Sequence, residues 1–297
     1  MNRDNTSRAY LDAMKKKIIV FDGAMGTNLQ KQNLSAEHFG GERTNGCNDY
    51  LVITYPQAVE QVHRAFLEAG VDVIETCTFR SNRITLGEYG LADQVTLINE
   101  TAATLARQLA DEYSTPEKKR FVAGSIGPSG KLPSMNDSEL SNVSFDDLAS
   151  IFCEQAEGLI NGGVDLLLIE TSQDILEVKA IIHGIQIAFE KTGVRLPIQA
   201  QVTLDTTGRM LLGTDISAVL TILEKLPIDV IGMNCSTGPD FMREPIRYLG
   251  ENSPLPVSCI PNAGLPLNID GQAVYPLEPE SFAERLFEFA AKYGINV

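Results

Sequence analysis

The chain has 297 residues, 43% hydrophobic and 21% charged, with a formal net charge of −15. That length suits one large α/β domain or two modest ones, and the apolar share can bury a core without covalent staples. The acidic balance argues against nucleic acid and anionic membrane surfaces as partners, and no apolar run approaches the roughly 20 residues of a membrane-spanning helix.

Residues 1–16 carry charge but no apolar core ahead of a cleavage site, so a polar lead-in is expected and no signal peptide. The first β-rich run, residues 17–21 (KIIVF), enters the turn DGAMGT. A helix is expected from Pro56, with Gly70 just past its end, and then a second run at 71–79 (VDVIETCTF). The third run, 120–128 (RFVAGSIGP), follows an apolar-periodic helix; a helix opened by Ser144 with Asp147 in a capping-box spacing precedes the fourth, 164–174. Runs five to seven are 197–205 (PIQAQVTLD), 228–235 (IDVIGMNC) and 255–264 (LPVSCIPNAG), each separated by one helix. A last helix over PESFAERLFEFAAKYG leads to Ile295, Asn296 and Val297, the opening of an eighth strand.

Continuous apolar strands alternating with helices imply a parallel sheet covered by helices. The spacing fits a single α/β domain over 1–297, a (β/α)8 TIM barrel with strand eight incomplete. The rival is a doubly wound open sheet. Polar residues at the end of nearly every strand, instead of at one switch point, favour the barrel. Two long loops, 28–55 and 130–143, are expected to fold over its mouth.

The strand ends bring Asp22-Gly23-Ala24, Glu75, Ser125, Glu170, Asp205, Asn234-Cys235 and Asn262 toward that mouth. Carboxylates, an amide and a thiol around one cleft suit a small zwitterion with a soft centre. Each has a plainer reading. DGAMGT can be a tight turn in which Asp22 caps backbone N–H groups, or a glycine turn offering N–H groups to a carboxylate. Glu75 and Glu170 follow apolar strands, where an unpaired acid is costly, which favours function. The five cysteines are odd in number with no CxxC, so a reducing compartment, the cytoplasm, is expected. Cys77 and Cys259 read as small buried apolar residues, and His63 and His183 as surface or packing residues of helices.

DGAMGT, IETCTF, GSIGP, LLIET and GMNCSTGP, in this order at strand ends, resemble the homocysteine S-methyltransferase family. PNAGLP and VYPLEPESFAE are more similar to its methionine synthase branch than to the betaine-dependent one. Cys77 departs from the family, which commonly has Asn there. The resemblance implies an enzyme that transfers a methyl group to the thiol of homocysteine, giving methionine, with Zn2+ holding the thiolate. It implies methylcobalamin and methyltetrahydrofolate on further domains of a longer chain. By the same resemblance Cys235 is the catalytic zinc ligand, Asp22 and Glu170 hold the substrate amino group, and the N–H groups of Gly23 and Ala24 meet its carboxylate. Glu75, Ser125 and Asn234 complete the candidate substrate contacts. Two further cysteine ligands are expected in a GGCCG motif past Val297, so the sequence reads as the front part of a longer chain. The alternatives are a standalone S-methylmethionine- or betaine-type methyltransferase, and a non-catalytic barrel that binds an amino acid.

Overall fold

The computed structural model describes residues 3–265, 267–269 and 272–297; Pro266 of the PNAGLP stretch lies outside them. In chain order its helices are α1 (Arg3–Met14), α2 (Met25–Gln30), α3 (Leu51–Thr54), α4 (Pro56–Ala69), α5 (Arg83–Gly87), α6 (Val95–Glu112), α7 (Phe145–Gly162), α8 (Ile175–Thr192), α9 (Ile216–Leu223), α10 (Pro239–Asn252) and α11 (Pro279–Tyr293). The strands are β1 (Val73–Glu75), β2 (Phe121–Ile126), β3 (Leu166–Ser172), β4 (Ile198–Val202), β5 (Val230–Cys235) and β6 (Val257–Pro261), with a small antiparallel pair, β7 (Leu267–Ile269) and β8 (Gln272–Val274), beyond them.

β1 to β6 form one parallel sheet in sequential order. A doubly wound sheet reverses its strand order, and this one does not, which removes that rival. The expected first strand, 17–21, is extended but makes only a single parallel bridge, Phe21 to Val73. Its Val20 carbonyl accepts the N–H groups of Asp72 at 2.7 Å and Val73 at 3.1 Å. Residues 295–297 lie against the far edge of the sheet. Asn296 N–H donates to the Val257 carbonyl at 2.9 Å, and its own carbonyl accepts Ile19 N–H at 2.9 Å. The tail therefore bridges β6 and the first segment, as the opening of an eighth strand would. Above it the seam stays open, with a cavity of about 420 Å³ lined by Ile18, Val20, Phe21, Ile260 and Phe287. The architecture is an incomplete (β/α) barrel.

The helix boundaries have local causes. Pro56 opens α4, and Gly70 closes it at φ 103°, where a side chain would be strained. Ser144 and Asp147 make the reciprocal hydrogen bonds of a capping box at α7. Asp174 caps α8 by accepting Leu176 N–H at 2.8 Å. Gly232 lets β5 and β6 approach, because a Cβ there would collide with the Ser258 carbonyl. The apolar faces of α6, α7 and α8 cover the outer side of the sheet in one large cluster containing Ala106, Phe152, Ile181 and Ile198.

Two other features set the site. Helix α1 plugs the barrel floor: Tyr10 is buried with Val73, Phe121, Leu166 and Val230, and its hydroxyl donates to Gln199 Oε1 at 2.7 Å. The 28–55 excursion builds its own apolar cluster, with Leu29, Phe39 and Leu51 against Val59 and Cys77, so it stands as a fixed wall beside the mouth. The 130–143 loop is tied to the start of α8, where the Ser134 N–H and hydroxyl donate to the Asp174 carboxylate at 2.7 and 2.6 Å.

Candidate functional site

The strand ends open into a cavity of about 530 Å³ lined by Asp22, Gly23, Ala24, Glu75, Ser125, Glu170, Asn234 and Cys235 together. All eight candidate residues thus meet in one place. Asn262 joins them; Asp205 does not. The chain turns outward after Leu204, and Asp205 instead accepts Thr207 N–H at 2.8 Å on an exposed loop. Asn48 and Asp49 of the excursion also line the cavity, a contribution that no motif in that stretch signals. Asp49 is buried and accepts Arg80 N–H and the Ser81 hydroxyl, both at 2.9 Å, which pins the excursion to the loop after β1.

Besides Asp49, which is tied to the loop after β1, three carboxylates stand around the mouth. Asp22 is fixed by the backbone: both its oxygens accept Glu75 N–H at 3.1 Å. Glu170 accepts the Ser125 hydroxyl at 2.5 Å and the Asn234 amide at 3.3 Å. Among the described residues that line the cavity, the one cation is Arg80, and it is already paired with Glu88 at 2.7 Å. Burial therefore dominates all three acids, with repulsion adding to it at Glu75 and, more weakly, at Asp22. Burial pushes Glu170 up to about 7. Burial and the neighbouring Glu170 and Asp22 charges raise Glu75 well above the carboxylate range. Asp22 is raised by burial, partly offset by the Glu75 N–H. Such a cluster is costly when ionised and empty, and it is relieved by a cation.

The sulfur is held beside it. Asn234 works as a clamp: its Oδ1 accepts Thr171 N–H at 2.8 Å, and its Nδ2 donates to Thr171 Oγ1 at 2.9 Å and toward Cys235 Sγ at 3.3 Å. The Thr171 hydroxyl donates to the same sulfur at 3.5 Å. Burial and the Glu170 charge push the Cys235 thiol up to about 11. Thr171, Cys235 and Ser236 all have positive φ, 57°, 58° and 56°. For a β-branched threonine that conformation costs about 1–2 kcal/mol. The β3–β4 register slips between Ile169 and Ser172, and this bulge turns Thr171 toward the sulfur. Thr171 is the site residue that pattern reading passes over, since nothing in the sequence marks a threonine for left-handed backbone.

The plainer readings apply elsewhere. Cys77 is buried in the excursion's cluster, its thiol donating to the Asn48 carbonyl at 3.5 Å. Cys259 is buried at the seam. His63 is fully buried in α4, and His183 stacks on Phe145. A zinc ion does not fit on the described residues alone: among them no group of three or more His, Cys, Asp or Glu is placed to hold a metal. Cys235 has an amide and a hydroxyl beside its sulfur, not a second ligand. No helix among the described residues is long and apolar enough to cross a membrane.

In solved structures the fold is similar to homocysteine methyltransferase MmuM from Escherichia coli. Its oxidised form gives a TM-score of 0.75 at 21% identity over 98% of this chain and 92% of that one. Its metallated form gives 0.70 at 22% identity over 87% and 88%. The methionine synthases of Mycobacterium tuberculosis (strain ATCC 25618 / H37Rv) and Mycobacterium leprae (strain TN) are each 42% identical, over 97% and 100% of this chain. The chain spans 24% of the length of each of these relatives. The family model described as homocysteine S-methyltransferase matches residues 19–297, and the chain belongs to that family.

Proposed function

We propose that this barrel is the homocysteine-binding, methyl-accepting module of a methionine synthase of the cobalamin-dependent kind. The observation that carries the reading is the unpaired acid trio of Asp22, Glu75 and Glu170 in the same cavity as the Cys235 sulfur. An amino acid with a thiol two carbons beyond Cα supplies what that cavity lacks, a cation for the acids and a soft atom to lie against Cys235. Gly23 and Ala24, at the start of α2 on the cavity wall, are the backbone positions proposed to face the substrate carboxylate.

The chemistry served is a displacement: the substrate thiol loses its proton, a sulfur–carbon bond forms to an electrophilic methyl group, and the methyl–donor bond breaks toward the donor. The protein's part is to orient the sulfur and keep the ammonium anchored. Zinc and a methylcobalamin donor reloaded by methyltetrahydrofolate belong to this proposal by family resemblance. Cys235 would be one thiolate ligand, with the others supplied from outside these 297 residues. The share of the methionine synthases that the chain spans supports further domains, which are the proposed partners.

The reading is tested by titration calorimetry with L-homocysteine and with 4-mercaptobutyrate, which keeps the thiol and carboxylate but lacks the amine. Homocysteine is expected to bind at least about thirtyfold more tightly, because an ammonium among buried carboxylates gains about 2–5 kcal/mol. Equal affinities would remove the acid trio from the substrate site.

A further inference from the structure

On the outer face of the barrel, away from the mouth, a thiol, an amine and a carboxylate meet across two helices. Cys153 lies on α7 and is buried at 2% exposure. One turn on, Glu157 Oε1 accepts its thiol at 3.0 Å, and the same oxygen accepts Lys191 Nζ from the last turn of α8 at 2.6 Å. Because thiol and amine both donate to that one oxygen, the sulfur and Lys191 Nζ are neighbours across the two helices. The two helices are held close here, since a Cβ at Gly184 of α8 would collide with the Ala149 carbonyl of α7. Lys191 and Glu157 roof the thiol with side chains 57% and 29% exposed, so a small solute reaches the sulfur by moving two surface side chains.

We infer that Cys153 and Lys191 form an oxidative cross-link site, in which hydrogen peroxide joins α7 to α8 through a sulfur–nitrogen bond. In the first step the sulfur attacks one peroxide oxygen; the S–O bond forms, the O–O bond breaks, and the thiol proton leaves with the departing hydroxide as water. Sulfur is oxidised to a sulfenic acid, and peroxide is reduced. In the second step the Lys191 amine attacks that sulfur. The S–N bond forms, the S–O bond breaks, and the hydroxyl leaves as a second water, with no further change in oxidation level. A sulfenic acid condenses in the same way with a backbone nitrogen to give a sulfenamide, and here the lysine amine takes that nitrogen's place. Glu157, hydrogen-bonded to both reacting atoms, is placed to take a proton from the ammonium and pass one to the departing hydroxyl. Burial and the Glu157 carboxylate push the thiol up to about 11, so little thiolate is present and the first step is slow, calling for peroxide in excess.

The test treats the 297-residue protein with hydrogen peroxide and maps its peptides by mass spectrometry. The expected product is one species containing both the Cys153 and Lys191 peptides, lighter than their sum by two hydrogens and split again by dithiothreitol. Lys191→Arg keeps the ion pair to Glu157 but removes the amine; it should fold as the parent does, give no linked species, and leave Cys153 as a sulfenic acid that dimedone traps. Glu157→Gln should slow linkage by about tenfold or more, as expected when a proton carrier is lost. Dimedone-trapped or over-oxidised Cys153 without linkage in the parent protein would overturn the inference. So would Cys153 left unoxidised while other cysteines react, or the same Cys153 products in the parent and in Lys191→Arg.

Discussion

Glu170→Gln is expected to make the protein more stable and its substrate weaker at the same time. Besides Asp49, the free protein holds three carboxylates around the mouth, with no unpaired cation among the described lining residues. Glutamine keeps the shape and can still accept from the Ser125 hydroxyl, which now donates to Glu170 Oε1 at 2.5 Å. What disappears is the cost of burying a charge. Burial raises Glu170 from 4.5 to about 7, so its carboxyl favours the fold while protonated and loses that advantage as pH rises through that interval. The stability gain of the variant should therefore be near zero at about pH 4, grow with pH, and level off above neutrality at about 1–3 kcal/mol. Urea denaturation at several pH values measures it. Homocysteine affinity should fall by roughly a hundredfold in the same protein. A variant that loses stability at pH 8, or one that binds homocysteine undiminished, would show that Glu170 is not an unpaired acid awaiting an ammonium.

Asn234→Asp makes the opposite change, an amide nitrogen replaced by a carboxylate oxygen, and should be among the most damaging single substitutions in the barrel. The Asn234 amide nitrogen stands 3.3 Å from Glu170 Oε2 and 2.9 Å from Thr171 Oγ1, and as a donor it satisfies both. A carboxylate there faces Glu170 with oxygen against oxygen in a site where Asn234 is 2% exposed. It also loosens the clamp that keeps Thr171 at φ 57°. An unpaired charge in such surroundings costs about 3–5 kcal/mol. The new acid would have its protonation favoured by burial, so the damage should be smallest below about pH 4 and deepen as the pH is raised. Denaturation of the two variants side by side separates the ideas: removing a charge from the cluster stabilises, and adding one destabilises. If both destabilise equally at high pH, packing and not charge governs the mouth.

Much of this arrangement is legible in the residues. Apolar strands of five to seven residues, with Pro or Ser ahead of the helices and Gly behind, place β2 to β6 and the long helices, because those marks act over one turn of chain. Strand ends then name the acids and Cys235, since a parallel barrel sends every strand's C-terminal end to one mouth. The parts that escape are set by distant contacts. Asp205 stands three residues past the end of β4, where Glu170 is still within β3, and its own side chain closes a local turn with Thr207 that leaves it outside. Asn48 and Asp49 reach the cavity only because Leu51 and Phe39 bury the excursion against α4. Thr171 acquires its role from a bulge between two strands about thirty residues apart, and no local propensity foretells it.

The most direct test of the central claim is to trap the substrate in place. Incubation with L-homocysteine under mild oxidation should leave a mixed disulfide that peptide mapping finds on Cys235, with Cys47 and Cys77 unlabelled although both line the same cavity. Labelling should drop sharply in Glu170→Gln and with 4-mercaptobutyrate, because the ammonium anchor is what brings the two sulfurs together. Label on Cys47 or Cys77, or label on Cys235 that is indifferent to the amine, would contradict a mouth built to hold homocysteine by its ammonium with its sulfur against Cys235.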